Sequence, residues 1–437
     1  MASVCGERGA ALLSFVRIGL AVAAVALVPF SLGSNAASAD PAVRMSTPVP
    51  DEPVDRSAAF QAWLVQFRGE ALALGITAET FDRSLAGVRL NARVVELNEN
   101  QPEFSRAVWD YMDSAVSATR VEKGREHLQR FRNSLGRAED KHGVPPSIIT
   151  AIWSLESNFG KNMGGFNVIE ALATLAFEGR RATFGREQLI AALRIIQSGD
   201  VEPRRMVGSW AGAMGQTQFI PTAFLQYAED GNGDGRRDLW ETKSDVFNST
   251  GNYLSNKGWQ QDAPCFDEVR LPDGFDHSLA DISIEKSVRE WAGLGITLMN
   301  GNSLQGRTGL RMDAPAAVIL PGGHKGPAFI AYPNFKAVLA YNNAISYALA
   351  ICQLSRRFEG GASFSTDWPR SETPILSRTD RLELQMLLNQ RGFDVGEPDG
   401  VIGKKSREAI RAFQKKIGIP PDGFATVSLL QSLRQSG

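Results

Sequence analysis

From Phe60 to about Gly258 apolar residues recur every three or four positions, and a chain patterned that way over so long a stretch folds as packed helices. The period breaks at "HGVPPS", "GKNMGG" and "DGNGDG", where Pro and Gly stop helices. Residues 264–335 are less helical and carry short apolar runs such as "AAVILPGG" and "AFIAY", which predict short strands or hairpins. The stretch "FKAVLAYNNAISYALAICQLSRRF" (335–358) returns to the helical period and reads as one long amphipathic helix. The main body is therefore mainly α with a small β-containing region.

Residues 359–378 lose all period and collect Gly, Ser, Thr and Pro, the composition of a linker. Beyond it, 379–435 hold an internal echo. "EPDGVIGKKSREAIRAFQKK" and "PPDGFATVSLLQSLR" each set a Pro-Asp-Gly turn before a helix. This module is near the lower size limit for folding alone. At the other end, Arg8 and Arg17 precede the apolar run Ile18–Phe30, and Ala37 and Ala39 flank Ser38 as small residues do at a secretory cleavage site. Residues 1–39 are expected to be a signal peptide and 40–56 a flexible leader. The run is shorter than the roughly 20 residues that span a bilayer, so no membrane span is expected after the signal is removed. A net charge of −1 gives no basic surface, so nucleic acid is not an expected partner. Cleavage removes Cys5 and leaves Cys265 and Cys352, either bridged or free.

Within "IWSLESNFG" (152–160), Ile149, Ile152, Trp153 and Gly160 fall on one helical stripe, and Glu156 falls on the same stripe. Burial penalises the charged carboxylate and raises its pKa, so such a Glu can hold a proton near neutral pH and act as a general acid. The bland alternative is a buried ion pair. Downstream, "GSWAGAMGQTQFIPT" (208–222) combines small residues with the hydrogen-bonding side chains of Ser209, Gln216 and Gln218, as a groove wall would.

"DGNGDGRRDLWE" matches the twelve-residue calcium-loop pattern. Asp230, Asn232, Asp234, the backbone of Arg236, Asp238 and Glu241 are the expected ligands of one structural calcium ion. Position 8 is Arg237 where an apolar residue is usual, and Asp245 is an alternative to Glu241. The four histidines show no ligand spacing, and no organic cofactor is expected.

"LNENQPEFSRAVWDYM", "AIWSLESNFGKNMG", "EALATLAFEGRR", "GSWAGAMGQTQFIPTAFLQYAEDGNGDGRRDLW" and "AYNNAISYALA", in this order, resemble the membrane-bound lytic transglycosylase B family of bacterial cell-wall enzymes, glycoside hydrolase family 103. The resemblance implies a lysozyme-like catalytic domain over 57–358 and a periplasmic site of action on peptidoglycan. It also implies that Glu156 is the sole catalytic acid/base and that Tyr111, Ser209, Gln218, Tyr253 and Tyr341 border the glycan groove. The reaction it implies cleaves the MurNAc–GlcNAc β-1,4 bond and closes the MurNAc C6 hydroxyl onto C1, giving a 1,6-anhydro end. Other glycosidases generally need two carboxylates. The alternatives are a hydrolytic muramidase and a murein-binding protein without catalysis. "DGVIGKKSREAIRAFQKKIGIPPDG" likewise resembles the small three-helix peptidoglycan-binding module, with Ile410 and Phe413 expected in its core. That module would concentrate the enzyme on murein through the linker.

Overall fold

The helix that carries Glu156 spans Pro146–Ser157 and is defined by its ends. Pro146 occupies the first helical position, where the missing N–H costs nothing, and Asn158 closes the other end in the left-handed conformation at φ 49°. Between them Ile148, Ile149, Ala151, Ile152 and Trp153 are buried, as are Ser147, Thr150 and Ser154, so this helix is enclosed around its circumference and lies at the centre of the domain. The structure, a computed structural model, describes residues 56–99, 106–177, 179, 181–370 and 376–435. The expected signal peptide and all but Arg56 of the expected leader lie outside the described residues.

Helices Ala118–Arg130, Arg132–His142, Lys243–Asn256 and Ile345–Phe358 pack around this acid helix. Beyond them Val168–Phe177 crosses Ala182–Gln197 at close range. A Cβ on Gly185 would lie 2.4 Å from the backbone nitrogen of Ala176, so only glycine permits that crossing. The region expected to form strands does so. Its five-stranded antiparallel sheet runs in the order Lys286–Ser287, Pro315–Ile319, Ala328–Ala331, Phe266–Arg270, Thr297–Leu298. Val269 pairs with both Ala328 and Leu298, and Trp291, Val318, Ile330 and Tyr332 form a core of its own beneath.

The single helix expected over 335–358 is two. Pro333–Tyr341 and Ile345–Phe358 meet at 116°. Asn342 breaks the run in extended conformation (φ −143°, ψ 118°), consistent with the weak helix preference of Asn, whose side chain competes for backbone hydrogen bonds.

The linker expected at 359–378 is also corrected, because its first half is a packed strap. Phe364 lies 4.8 Å from the ring of Phe329, and Trp368 packs against Phe329 and Trp109. The Ser365 and Thr366 N–H groups donate to the buried carboxylate of Glu268, and Arg370 pairs with Asp113. Two half-buried aromatic side chains packed on the sheet outweigh the low order that the Gly and Ser content suggested.

The C-terminal module consists of helices Arg378–Gln390, Lys404–Lys416 and Val427–Gln435 around Leu384, Leu388, Ile410, Phe413, Leu430 and Leu433. The sequence echo is a repeated device. The Gln385 amide clamps the Asp399-Gly400 turn through the Gly400 N–H and Asp399 Oδ1, and the Gln414 amide clamps Asp422-Gly423 in the same way. The module rests on the main body through two carboxylates. Asp422 accepts from His324 Nδ1 at 2.6 Å and from its backbone N–H, and Asp281 accepts from Arg411 at 2.7 Å.

Replacing Gly185 with Ala forces backbone against backbone at the helix crossing. The expected cost is about 1–3 kcal/mol, read as a lower midpoint in denaturant or thermal unfolding.

Candidate active site

Glu156 is the penultimate residue of the acid helix, and the chain reverses directly after it. Asn158, Phe159 and Gly160 are left-handed in succession, at φ 49°, 60° and 80°. For a residue as bulky as Phe159 that conformation is strained, so something must hold it. Its backbone N–H donates to Trp153 O, and its ring packs against Trp153 and His127. Ser157 Oγ donates to Gln216 O at 2.8 Å and accepts from Gly160 N, tying the turn to the segment that follows Gly208. The stripe read from the sequence therefore ends at Glu156, and Gly160 belongs to the turn.

The Glu156 carboxyl is enclosed by protein while the residue keeps a partly open face. Burial pushes its pKa up to about 7, and the hydrogen bond from Tyr347 opposes that rise. Among the described residues no carboxylate is hydrogen-bonded to the Glu156 carboxyl. The negative end of the helix dipole disfavours charge at the same place. Tyr347 Oη donates to Glu156 Oε1 at 2.5 Å. Tyr347 lies on Ile345–Phe358, which runs antiparallel to the acid helix. Near the far ends of the two helices Ser147 donates to Glu359 and accepts from Ser355, so the pair is held in register at both ends. Arg125 donates to the carbonyls of Arg357 and Phe358, a cation at the helix C-terminus. Tyr347 was not singled out from the sequence. It stood within "AYNNAISYALA", but its approach to Glu156 depends on the helix break at Asn342.

The expected groove tyrosines surround the same carboxyl with mostly committed hydroxyls. Tyr341 Oη donates to Thr217 O at 2.6 Å, and Tyr253 Oη to Ala340 O at 2.6 Å. Their rings lie 4.8 Å apart, with Phe219 against both. Burial raises the Tyr111 hydroxyl to about 12 and those of Tyr253, Tyr341 and Tyr347 well above the ordinary value, with the charge of Glu156 contributing to each. All four stay neutral, and they act as a desolvating aromatic wall.

Residues 208–219 are looped rather than helical, with bridges from Met214 to Gly208 and to Phe219. Gly208 is small because the chain folds on itself. Its Cβ would lie 2.2 Å from Ala213 O, and a Cβ on Gly164 would lie 2.0 Å from Gly208 O. Ser209 Oγ accepts from Ala213 N, which leaves its own proton to donate. Gln218 Nε2 donates to Met163 O and Gly215 O, so its remaining amide function is an acceptor oxygen. Gln216, expected beside them, is buried and spent on Trp153 Nε1 and Trp240 O.

In the loop expected to bind calcium, Asp230 accepts from the N–H groups of Gly233, Asp234 and Gly235, and Asp234 Oδ1 accepts from Arg236 N. Asn232 donates to Asp234, and Asp238 accepts from the N–H groups of Trp240 and Glu241. Glu241, expected to close the loop, is exposed and paired with Arg205. The buried Asp245 closes it, accepting from Gly231 N and Asp238 N. Burial, and Asp230 nearby, push the Asp245 carboxyl up, an environment a hard cation would relieve. The unusual Arg237 spreads over the Phe224 ring and forks onto Asp200, filling an apolar slot with a paired guanidinium. Among the described residues no three His, Cys, Asp or Glu side chains are already gathered as a metal centre.

Residues 59–356 match the family described as "Transglycosylase SLT domain", and residues 377–433 match "Putative peptidoglycan binding domain". The membrane-bound lytic murein transglycosylase B of Escherichia coli K12 is 31% identical over 284 residues, 60% of this chain and 73% of the relative. SltB3 of Pseudomonas aeruginosa, solved in complex with NAG-anhNAM-pentapeptide, is 49% identical over 86% of this chain and 99% of its own, with a TM-score of 0.83. The Escherichia coli lytic transglycosylase Slt35, solved in complex with calcium, is 26% identical over 70% of this chain and 94% of its own, with a TM-score of 0.59.

If bond cleavage needs the protonated form of Glu156, kcat/KM falls as pH rises through about 7. Tyr347→Phe removes the contact that lowers this pKa, so the alkaline limb of the pH–rate profile moves upward, by up to about one unit. An unmoved limb in a folded variant would show that Tyr347 does not set the proton affinity of the acid.

Proposed function

The chain belongs to the transglycosylase SLT domain family, and from that premise we propose that Glu156 is the lone acid and base of its lytic transglycosylase reaction on peptidoglycan. The observation that carries this reading is a carboxyl raised to about 7 by burial, with one hydrogen-bond donor and no carboxylate partner contributing.

The protonated carboxyl gives its proton to the oxygen joining MurNAc C1 to GlcNAc C4. Tyr347 holds Oε1 as donor and leaves Oε2 for the substrate. As the bond breaks, the carboxylate that forms is stabilised by that same donor. It then takes the proton of the MurNAc C6 hydroxyl, which closes on C1. Among the described residues no carboxylate is hydrogen-bonded beside Glu156 to activate water, so intramolecular capture is the favoured route, and it consumes no water. Support for C1 comes from the substrate's own 2-acetamido group. Gln218 presents an acceptor oxygen, suited to the acetamido N–H, and Ser209 keeps a hydroxyl proton to donate. Tyr111, Tyr253 and Tyr341 wall the groove and keep the carboxyl dry. SltB3 with NAG-anhNAM-pentapeptide supports this product class.

The C-terminal module is read as a peptidoglycan-binding unit that adds grip on the same polymer, and the N-terminal segment as an export signal to the periplasm. Asp230, Asn232, Asp234, the Arg236 backbone and Asp238 are proposed to hold one structural calcium ion, with Asp245 in the closing place first expected for Glu241. The calcium complex of Slt35 supports that ion, and the loop's hard oxygen donors suit it.

Glu156→Gln keeps shape but holds no transferable proton. Turnover of purified peptidoglycan is expected to fall at least about 10³-fold, and mass spectrometry of wild-type digests should find 1,6-anhydro ends. Reducing ends in their place would establish a hydrolytic muramidase, and near-normal turnover by Glu156→Gln would remove Glu156 from the reaction. Chelation is expected to lower the melting midpoint and calcium to restore it, whereas Asp245→Asn should weaken that response. A midpoint indifferent to both would rule out the ion.

A further inference from the structure

The two cysteines that remain after the expected cleavage lie side by side, although 87 positions separate them in sequence. Cys352 is buried on the helix Ile345–Phe358, and Cys265 is half-buried immediately before the strand Phe266–Arg270. Cys265 packs against the core cluster that contains Cys352, and its thiol lies near enough to act on that of Cys352. The backbone is anchored on both sides of that contact. One turn beyond Cys352, the Arg356 guanidinium lies 5.4 Å from the centre of the Phe266 ring, next in sequence to Cys265. The Cys265 carbonyl accepts from Tyr332 N at 2.9 Å. Both thiols are free in the structure.

We propose that Cys265 and Cys352 close into a disulfide in an oxidising compartment, a covalent staple between the sheet and the helix that carries Tyr347. The proposal rests on the export reading for its setting, since thiols persist in reducing compartments and pair in oxidising ones. The two cysteines differ in ways that assign them roles. Cys265 is the one an external reagent reaches. Its thiolate attacks a low-molecular-weight disulfide such as oxidised glutathione, forming a mixed disulfide and releasing one glutathione thiol. Cys352 then gives up its proton and attacks the Cys265 sulfur, releasing the second. Two protein thiols become one S–S bond, one external disulfide becomes two thiols, and no other oxidant is consumed. Burial pushes the Cys352 thiol up, so it stays protonated and resists random oxidation while no mixed disulfide stands beside it.

The bond would act in two ways. It closes a long loop, which restricts the unfolded chain most when the loop is long. It also fixes the helix five positions from Tyr347, the side chain that orients the acid. A sheet region and an active-site helix that meet through side-chain packing would become one covalent frame.

The test uses the full chain, purified reduced, incubated with oxidised glutathione, denatured, treated with N-ethylmaleimide and mapped as peptides. A Cys265–Cys352 linked pair carrying no maleimide is the expected result. Reduction should then lower the melting midpoint by about 5 °C or more, and in Cys265→Ser, which alters only the half-exposed partner, the midpoint should not respond to reductant. Maleimide on both cysteines, or glutathione retained on Cys265 without closure, overturns the proposal. A linked pair whose reduction leaves the midpoint unchanged overturns the staple. Export is read separately by N-terminal sequencing of chain recovered from the cell envelope. A retained signal peptide would remove the export reading and leave the disulfide to be decided on the purified chain.

Discussion

One carboxyl enclosed at the C-terminal end of the central helix is the constraint around which this domain is arranged. Removing a carboxylate from water beside a helix C-terminus is costly, and the protein raises the proton affinity of the group to about pH 7 rather than pairing it with a cation. That choice requires an apolar surround with one well-placed donor. Tyr347 is the donor, and Tyr111, Tyr253 and Tyr341 belong to the surround. Each of the four has a hydroxyl raised above its ordinary value by burial, so none competes for the proton.

Holding that carboxyl in place requires rigidity on both sides of it. On one side the acid helix is locked in register against Ile345–Phe358 by a hydroxyl–carboxylate chain at its start and the Tyr347–Glu156 bond at its end. On the other, three successive left-handed residues turn the chain sharply, and Ser157 bonds the turn to the looped wall at Gln216. Gln216 in turn spends both amide functions on Trp153 and Trp240, so the wall and the acid helix share a buried polar joint. Strain at Phe159 is sustained because its ring is packed in the aromatic group below.

The C-terminal module is docked on the catalytic unit, not simply tethered to it. The strap over 361–370 lies on the sheet, and the Asp422 contact with His324 and the Asp281 contact with Arg411 give the module a defined seat. Partly buried charged contacts of this kind set orientation more than they add stability. A module held in this way presents its surface in a set direction relative to the groove, whereas a free linker would only raise local concentration.

Much of this was legible in the residues. The helical period marked the α-rich body, short apolar runs marked the sheet, and the echoed Pro-Asp-Gly turns marked a small helical module. Glu156 stood out because a carboxylate on an apolar stripe needs a reason. What the sequence did not reveal follows from contacts between distant segments. Period-based reading carried one helix through Asn342, because the apolar period and the Ala- and Leu-rich runs continue on both sides of the break, and so Tyr347 went unnoticed. Composition suggested a loose linker, yet Phe364 and Trp368 pack, half-buried, on a surface that only the folded sheet provides. Spacing left Glu241 and Asp245 as alternatives for closing the acidic loop, and the folded chain brings Asp245 to the loop from the following helix while Glu241 pairs with Arg205. The sequence by itself determined which elements form and which carboxyl is out of place, since these depend on local period and composition. Only the tertiary structure decided what touches that carboxyl, because desolvation and hydrogen bonding arise where segments nearly two hundred positions apart are packed together.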